Sequence, residues 1–110
     1  MNYKVLPTKK FLQQAKRLLK KYKSLRTELL QLESELKNNP VLGISLGHQV
    51  FKIRVGVKSK GGGKSGGMRV LTYVITKDKE VYLLTIYDKS EQDSVDNKTI
   101  QVLIKDFIGK

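Results

Sequence analysis

Two basic residues stand two apart in the stretch VFKIRV, at Lys52 and Arg54, and a third, Arg69, follows a run of glycines in GGMRV. Further along, TIYDKSE sets Tyr87 and Lys89 two apart. In an extended strand, alternate residues share one side of the sheet. Lys52 and Arg54 therefore face away from Phe51, Ile53, Val55 and Val57, and Arg69 opens the next strand, where antiparallel pairing brings it near them. A guanidinium offers phosphate oxygens a planar fork of donors. A lysine among other cations has a lowered pKa and can act as base or acid. A phenol can hydrogen-bond a phosphate or stack on a base. Such a group of side chains can cleave RNA with no metal: the 2′-OH attacks its own phosphate, and fixed cations stabilise the pentacoordinate transition state. The same residues also describe a basic face that binds nucleic acid without chemistry, and residue types alone leave both readings open.

The charge balance favours a polyanionic partner. Twenty-two Lys and Arg against ten Asp and Glu give +12 over 110 residues. Residues 1–27 hold nine basic side chains and no acid, and residues 36–77 hold eight and no acid. Acid-free basic surfaces attract polyanions, of which nucleic acid is the commonest. A soluble basic surface without a partner is the plainer alternative. A membrane-surface role would need a basic helix with a Trp/Phe-rich apolar face, and none is visible. The chain lacks an apolar run suited to a signal peptide or a bilayer span. With no cysteine there is neither a disulfide framework nor a thiolate metal site, which fits the cytoplasm. At 39% hydrophobic residues, the chain has enough apolar content for the modest core of one domain.

The elements that must position these residues follow from periodicity. NYKVL predicts a short strand ended by Pro7, and Thr8 is a candidate N-cap for a helix over about 9–22. Phe11, Ala15, Leu18, Leu19 and Tyr22 recur at helical spacing, with Lys9, Lys16, Arg17, Lys20 and Lys21 on the other face. The phase breaks at Tyr22–Ser24, and a second helix over about 25–38 carries Leu25, Leu29, Leu32 and Leu36. Near residue 41 the period changes to two. HQVFKIRVGVK, MRVLTYVIT and EVYLLTIYD predict a three-stranded antiparallel meander, with a tight turn at Lys77–Lys79. Ser94 or Asp96 can cap a last helix bearing Ile100, Leu103, Ile104, Phe107 and Ile108. The expected fold class is α+β, with an N-terminal strand, a two-helix hairpin, the meander and a short C-terminal helix. Helices are expected on one sheet face and Lys, Arg and Tyr on the other.

Other constellations carry less. The loop KSKGGGKSGGMR contains Gly63-Lys64-Ser65, the end of a nucleotide-binding P-loop. The leading glycine of that motif falls on Lys58, however, and a strand rather than a helix follows, so no helix N-terminus awaits a phosphate. The loop is instead a basic hairpin connection whose Lys58, Lys60 and Lys64 can meet RNA, as can Lys16 and Lys20. His48 is the lone histidine; without cysteines or clustered carboxylates it is a strand-edge residue rather than a metal ligand or a triad member. No cofactor or metal is implied.

The segments VFKIRV, GGMRVLTYVI and VYLLTIYDKSE resemble the RelE/ParE-type toxins of bacterial type II toxin–antitoxin systems. GKSGGMRV followed by TIYDKSE looks most like the HigB-type branch of the RelE superfamily. The resemblance covers the whole chain in element order and is most specific over 50–91. It implies a RelE-like fold and a ribosome-dependent, metal-free mRNA endonuclease acting in the decoding site. It also implies a cognate antitoxin as partner, typically acidic and partly disordered until bound. By that resemblance, Arg69 takes the arginine of the family's G-x-R element and would stabilise the cleaved phosphate. Lys52 and Arg54 take the two basic positions of the preceding strand, and Lys89 lies near the basic position after the last strand. The tyrosine that some members carry in the C-terminal helix has no counterpart in QDSVDNK; either Tyr87 substitutes from the strand end or that role is absent. A ParE-like inhibitor of DNA gyrase would share the fold without needing the Lys/Arg constellation.

Overall fold

Thr8 supplies what the start of a helix requires. The computed structural model describes residues 2–60, 67–91 and 95–108, with side chains through 105. In it, Thr8 has extended backbone, and its hydroxyl accepts a 3.2 Å hydrogen bond from the Phe11 amide at the start of α1 (Lys9–Lys21). The predicted break at Tyr22–Ser24 is present, and α2 (Leu25–Asn38) follows. Phe11, Ala15 and Leu18 of α1 and Leu25, Leu32 and Leu36 of α2 are buried, as the helical spacing requires.

The sheet has five strands in the order β1-β5-β4-β3-β2. They are β1 (Lys4–Pro7), β2 (Ile44–Gly47), β3 (Val50–Val55), β4 (Met68–Ile75) and β5 (Glu80–Asp88). Neighbours are antiparallel except β1, which runs parallel to β5 with Val5 opposite Val81. Pro7 is tolerated because β1 is an edge strand. Strand β2 is an addition to the sequence expectation. It is short and exposed, and it joins β3 through His48 and Gln49, whose φ angles of 52° and 67° suit a two-residue type I′ hairpin.

Two cores flank the sheet. The larger contains Ile53, Val55, Val70, Val74, Val81, Leu83 and Ile86 against α1 and α2. The smaller packs Val50, Leu71 and Leu84 against Ile100 of α3 (Asn97–Ile108). The expectation that helices cover only one face is thereby corrected: α3 occupies part of the other face, where Val50, on the same side of β3 as Lys52 and Arg54, is fully buried. Asp96 caps α3, accepting from the Thr99 amide at 2.8 Å. The alternative cap, Ser94, and the side chains of Phe107 and Ile108 fall outside the described residues.

A bulge in β5 reconciles the two cores. The β4–β5 register pairs Leu71 with Thr85 but Thr72 with Leu83, so Leu84 is an extra residue. It moves the inward phase from Val81 and Leu83 to Ile86. Polar residues of α1 serve the irregular backbone: the Thr8 hydroxyl donates to the Leu83 carbonyl at 2.9 Å, and Gln14 Oε1 accepts from the Ile86 amide at 3.2 Å and from the Thr85 hydroxyl.

Candidate functional site

Register brings three of the candidate residues into one line. Arg54 of β3 lies directly opposite Arg69 of β4, and Arg69 lies directly opposite Tyr87 of β5. Cβ atoms of directly opposed residues stand about 5 Å apart. The row sits on the sheet face away from α1 and α2, because Ile53, Val55, Val70 and Ile86, its chain neighbours, fill the larger core. Lys52 is two residues along β3 on the same side and is half-buried.

The row descends from solvent into the molecule. Arg54 is exposed, whereas Arg69 is 4% and Tyr87 5% exposed. The expectation of Arg69 on an open polar face is therefore corrected: its guanidinium is buried and donates at 3.2 Å from Nη1 to the Met68 carbonyl. Like charges directly opposite one another in a sheet are destabilising. An anion lying between Arg54 and Arg69 would offset such a repulsion. The Tyr87 phenol is buried without a hydrogen-bond partner among the described residues. Burial pushes its pKa up, opposed by the positive charge of Arg69, so it remains a neutral donor.

Gly67 controls the entry to this row. A Cβ there would overlap the Val55 carbonyl oxygen at the end of β3, so β3 and β4 close tightly only around a glycine. The Gly67 carbonyl in turn accepts from the Lys89 amide at 3.1 Å, fixing the backbone of Lys89 beside the start of β4.

The remaining candidates separate. Lys58 is exposed, and its backbone amide donates to Glu28 Oε2 at 2.8 Å. Lys60 turns inward: its ammonium is 3.5 Å from Asp88 Oδ1 and 5.9 Å from the centroid of the Tyr22 ring. Lys64 lies outside the described residues. Lys16 and Lys20 are exposed on α1, across the sheet from the row; their neighbours Arg17 and Lys21 pair with Glu91 at 3.2 and 3.8 Å. Lys52, Arg54 and Lys58 also border a cleft of about 830 Å³ whose α2 wall carries Glu28 and Glu35, which makes it a poor phosphate site. Among the described residues, no three His, Cys, Asp or Glu side chains converge.

Sequence reasoning passed over Asp88, which is 1% exposed. Its Oδ1 accepts from the Ser90 amide at 2.9 Å and the Ser90 hydroxyl at 2.7 Å, and its Oδ2 from the Tyr22 phenol at 3.0 Å. Burial alone would raise its pKa. The bonds from Ser90 and Tyr22, together with the Lys60 charge, outweigh burial and hold the carboxyl below its ordinary value. The spacing Asp-Lys-Ser is the available signal, since Asp commonly bonds backbone two residues ahead.

A family model for the RelE toxin of the RelE/RelB toxin–antitoxin system matches residues 3–106. Among solved structures, the chain is similar to a double arginine-to-alanine mutant of E. coli toxin RelE in the free state. That match has a TM-score of 0.61 at 16% identity and covers 96% of this chain and 97% of the other. At that identity the structural likeness speaks for the fold, and it agrees with the five-stranded sheet and three helices described above. With the family model spanning nearly the whole chain, the protein belongs to the RelE toxin family.

Proposed function

We propose that this toxin is an mRNA interferase that cuts mRNA held on the ribosome without a metal ion, and that the Arg54–Arg69–Tyr87 row is its phosphate site. The row is the observation that carries the reading: two directly opposed arginines and a neutral phenol with no hydrogen-bond partner among the described residues form a cationic, donor-rich line. In this reading the 2′-oxygen forms a bond to phosphorus as its proton leaves to a base. The bond from phosphorus to the 5′-oxygen then breaks, and that oxygen takes a proton. Arg69 and Arg54 stabilise the charge that builds on the phosphate oxygens, Tyr87 donates to it, and Lys52 and Lys89 flank it as the acid–base candidates. Lys58, Lys60, Lys64, Lys16 and Lys20 would hold rRNA and mRNA phosphates; Lys60 must first leave Asp88 to do so. The ribosome as target places the protein in the cytoplasm, and the cognate antitoxin is its other partner. The likeness of GKSGGMRV and TIYDKSE to HigB-type toxins supports placement in that branch.

The test is to incubate the protein with programmed ribosomes and map message ends. Wild type should cleave, and Arg69→Ala should cleave about 100- to 1,000-fold more slowly. Thermal melting of Arg69→Ala must accompany the assay, because Arg69 is buried. A message left intact by wild type, with supercoiling by DNA gyrase inhibited instead, would replace this reading with a ParE-like one. Salt-sensitive RNA binding with no cleavage would leave only a binding module.

A further inference from the structure

The IYDKSE segment places a buried carboxylate directly between Tyr87 and Lys89. It is held by Ser90 two residues on, by Tyr22 at the joint of α1 and α2, and by Lys60 at the entrance to the glycine-rich loop. We propose that Asp88 is a positioning residue for the phosphate site: its carboxylate closes the turn that carries Lys89 and so sets where Lys89 stands beside Arg69 and Tyr87. This rests on the reading of that row as a phosphate site.

The backbone around Lys89 is held from both sides. Its own amide donates to the Gly67 carbonyl at 3.1 Å, two residues before Arg69. The next amide, that of Ser90, donates to Asp88 Oδ1 at 2.9 Å, and the amide of Glu91 donates to the Asp88 carbonyl at 3.0 Å. Lys89 is thus the residue bridged by the side-chain turn, with its main chain bonded to Gly67 just before β4 on one side and flanked by the Asp88–Ser90 and Asp88–Glu91 bonds on the other. Closing such a turn needs an acceptor oxygen that stays put. The Tyr22 hydroxyl on Oδ2 and the Ser90 hydroxyl on Oδ1 fix the carboxylate plane, and the Lys60 ammonium compensates its charge. A charge buried without such partners would not persist. An alanine at 88 would open the turn and strand the Tyr22 hydroxyl and the Lys60 ammonium together.

The experiment compares single-turnover cleavage on programmed ribosomes for wild type, Asp88→Ala, Asp88→Asn, Lys89→Ala and the Asp88→Ala/Lys89→Ala double variant. Amide hydrogen exchange at Lys89 and Ser90 is followed in parallel. A displaced Lys89 should lower cleavage in Asp88→Ala about 10- to 100-fold, as far as Lys89→Ala does. Residues acting through one another are not additive, so the double variant should stay within about twofold of the slower single. Asp88→Asn keeps an oxygen for the Ser90 amide and should remain within about threefold of wild type. Exchange at Ser90 should quicken in Asp88→Ala and not in Asp88→Asn. Multiplicative losses in the double variant, or wild-type cleavage by Asp88→Ala, overturn the proposal. Should wild type itself leave the message intact, the interferase reading falls and exchange alone decides. Protected Ser90 and Lys89 amides in Asp88→Ala then show that Asp88 does not close the turn either, and selective loosening shows that it closes the turn around Lys89 without serving a phosphate site. If Asp88→Ala does not fold, Asp88→Glu takes its place in every arm, since the added methylene carries the carboxylate off the Ser90 amide.

Discussion

Two hydroxyls are buried without partners among the described residues, and they have opposite meanings. The Tyr87 phenol stands in line with two guanidiniums, where an incoming phosphate would satisfy it. The Thr72 hydroxyl is fully buried between Phe51 and Leu83, its cross-strand neighbours, with no charged group opposite it. A buried hydroxyl without a bond keeps its desolvation cost and returns nothing. Thr72→Val, which replaces the hydroxyl with a methyl of the same shape, is expected to stabilise the fold by about 1 kcal/mol. Urea denaturation checks this, and ribosome-dependent cleavage should be unchanged. The contrast also bears on how much of the site was legible. The types of Lys52, Arg54, Arg69 and Tyr87 were enough to nominate them, and strand alternation was enough to put them on one side. Their depth was not readable: alternation marks the side of the sheet on which Arg69 and Tyr87 lie and says nothing of how far each is buried there, at 4% and 5% exposed.

At the scale of elements, Thr8 has two duties: it caps α1 and it donates to the Leu83 and Leu84 carbonyls, at 2.9 and 3.1 Å, where the β5 register slips. Thr8→Val removes both and should destabilise the protein by about 2 kcal/mol, while Thr8→Ser keeps both and should melt near wild type. Differential scanning calorimetry of the pair separates loss of the hydroxyl from loss of the methyl. The cap and both long helices were visible in the sequence because the apolar period is unbroken from Phe11 to Leu18 and from Leu25 to Leu36. Strand β2 was not: ISLG is too short to show alternation, and His48-Gln49 lacks the Asn-Gly or Asp-Gly signature of a tight hairpin. The bulge left only the doublet Leu83-Leu84 as a trace, and such a doublet also occurs in a strand buried on both faces.

At the scale of the whole molecule, Asp88 links the end of β5 to the α1–α2 joint and to the loop entrance, so its ionisation is felt globally. Its carboxyl is held below the ordinary value in the folded state. The stability it contributes is complete above the unfolded carboxyl pKa of about 3.9 and is lost as pH falls through the lower folded value. Melting temperature should therefore drop more steeply for wild type than for Asp88→Asn below about pH 4, a difference that thermal scans across acidic buffers would expose. Equal slopes would show that Ser90, Tyr22 and Lys60 do not favour the charged form.

The placement of the row on β3, β4 and β5 has a consequence for control. These strands occupy three adjacent inner positions of the sheet, each flanked on both sides. Backbone in the middle of a sheet opens only with global unfolding. Bending the row out of line would mean dismantling the molecule, so an inhibitor has no cheap distortion to exploit. On the reading of the row as the phosphate site, silencing this toxin is a problem of occlusion: whatever restrains it would sit on the row or bar the path to it, and on departure would leave the three strands that hold the row in register.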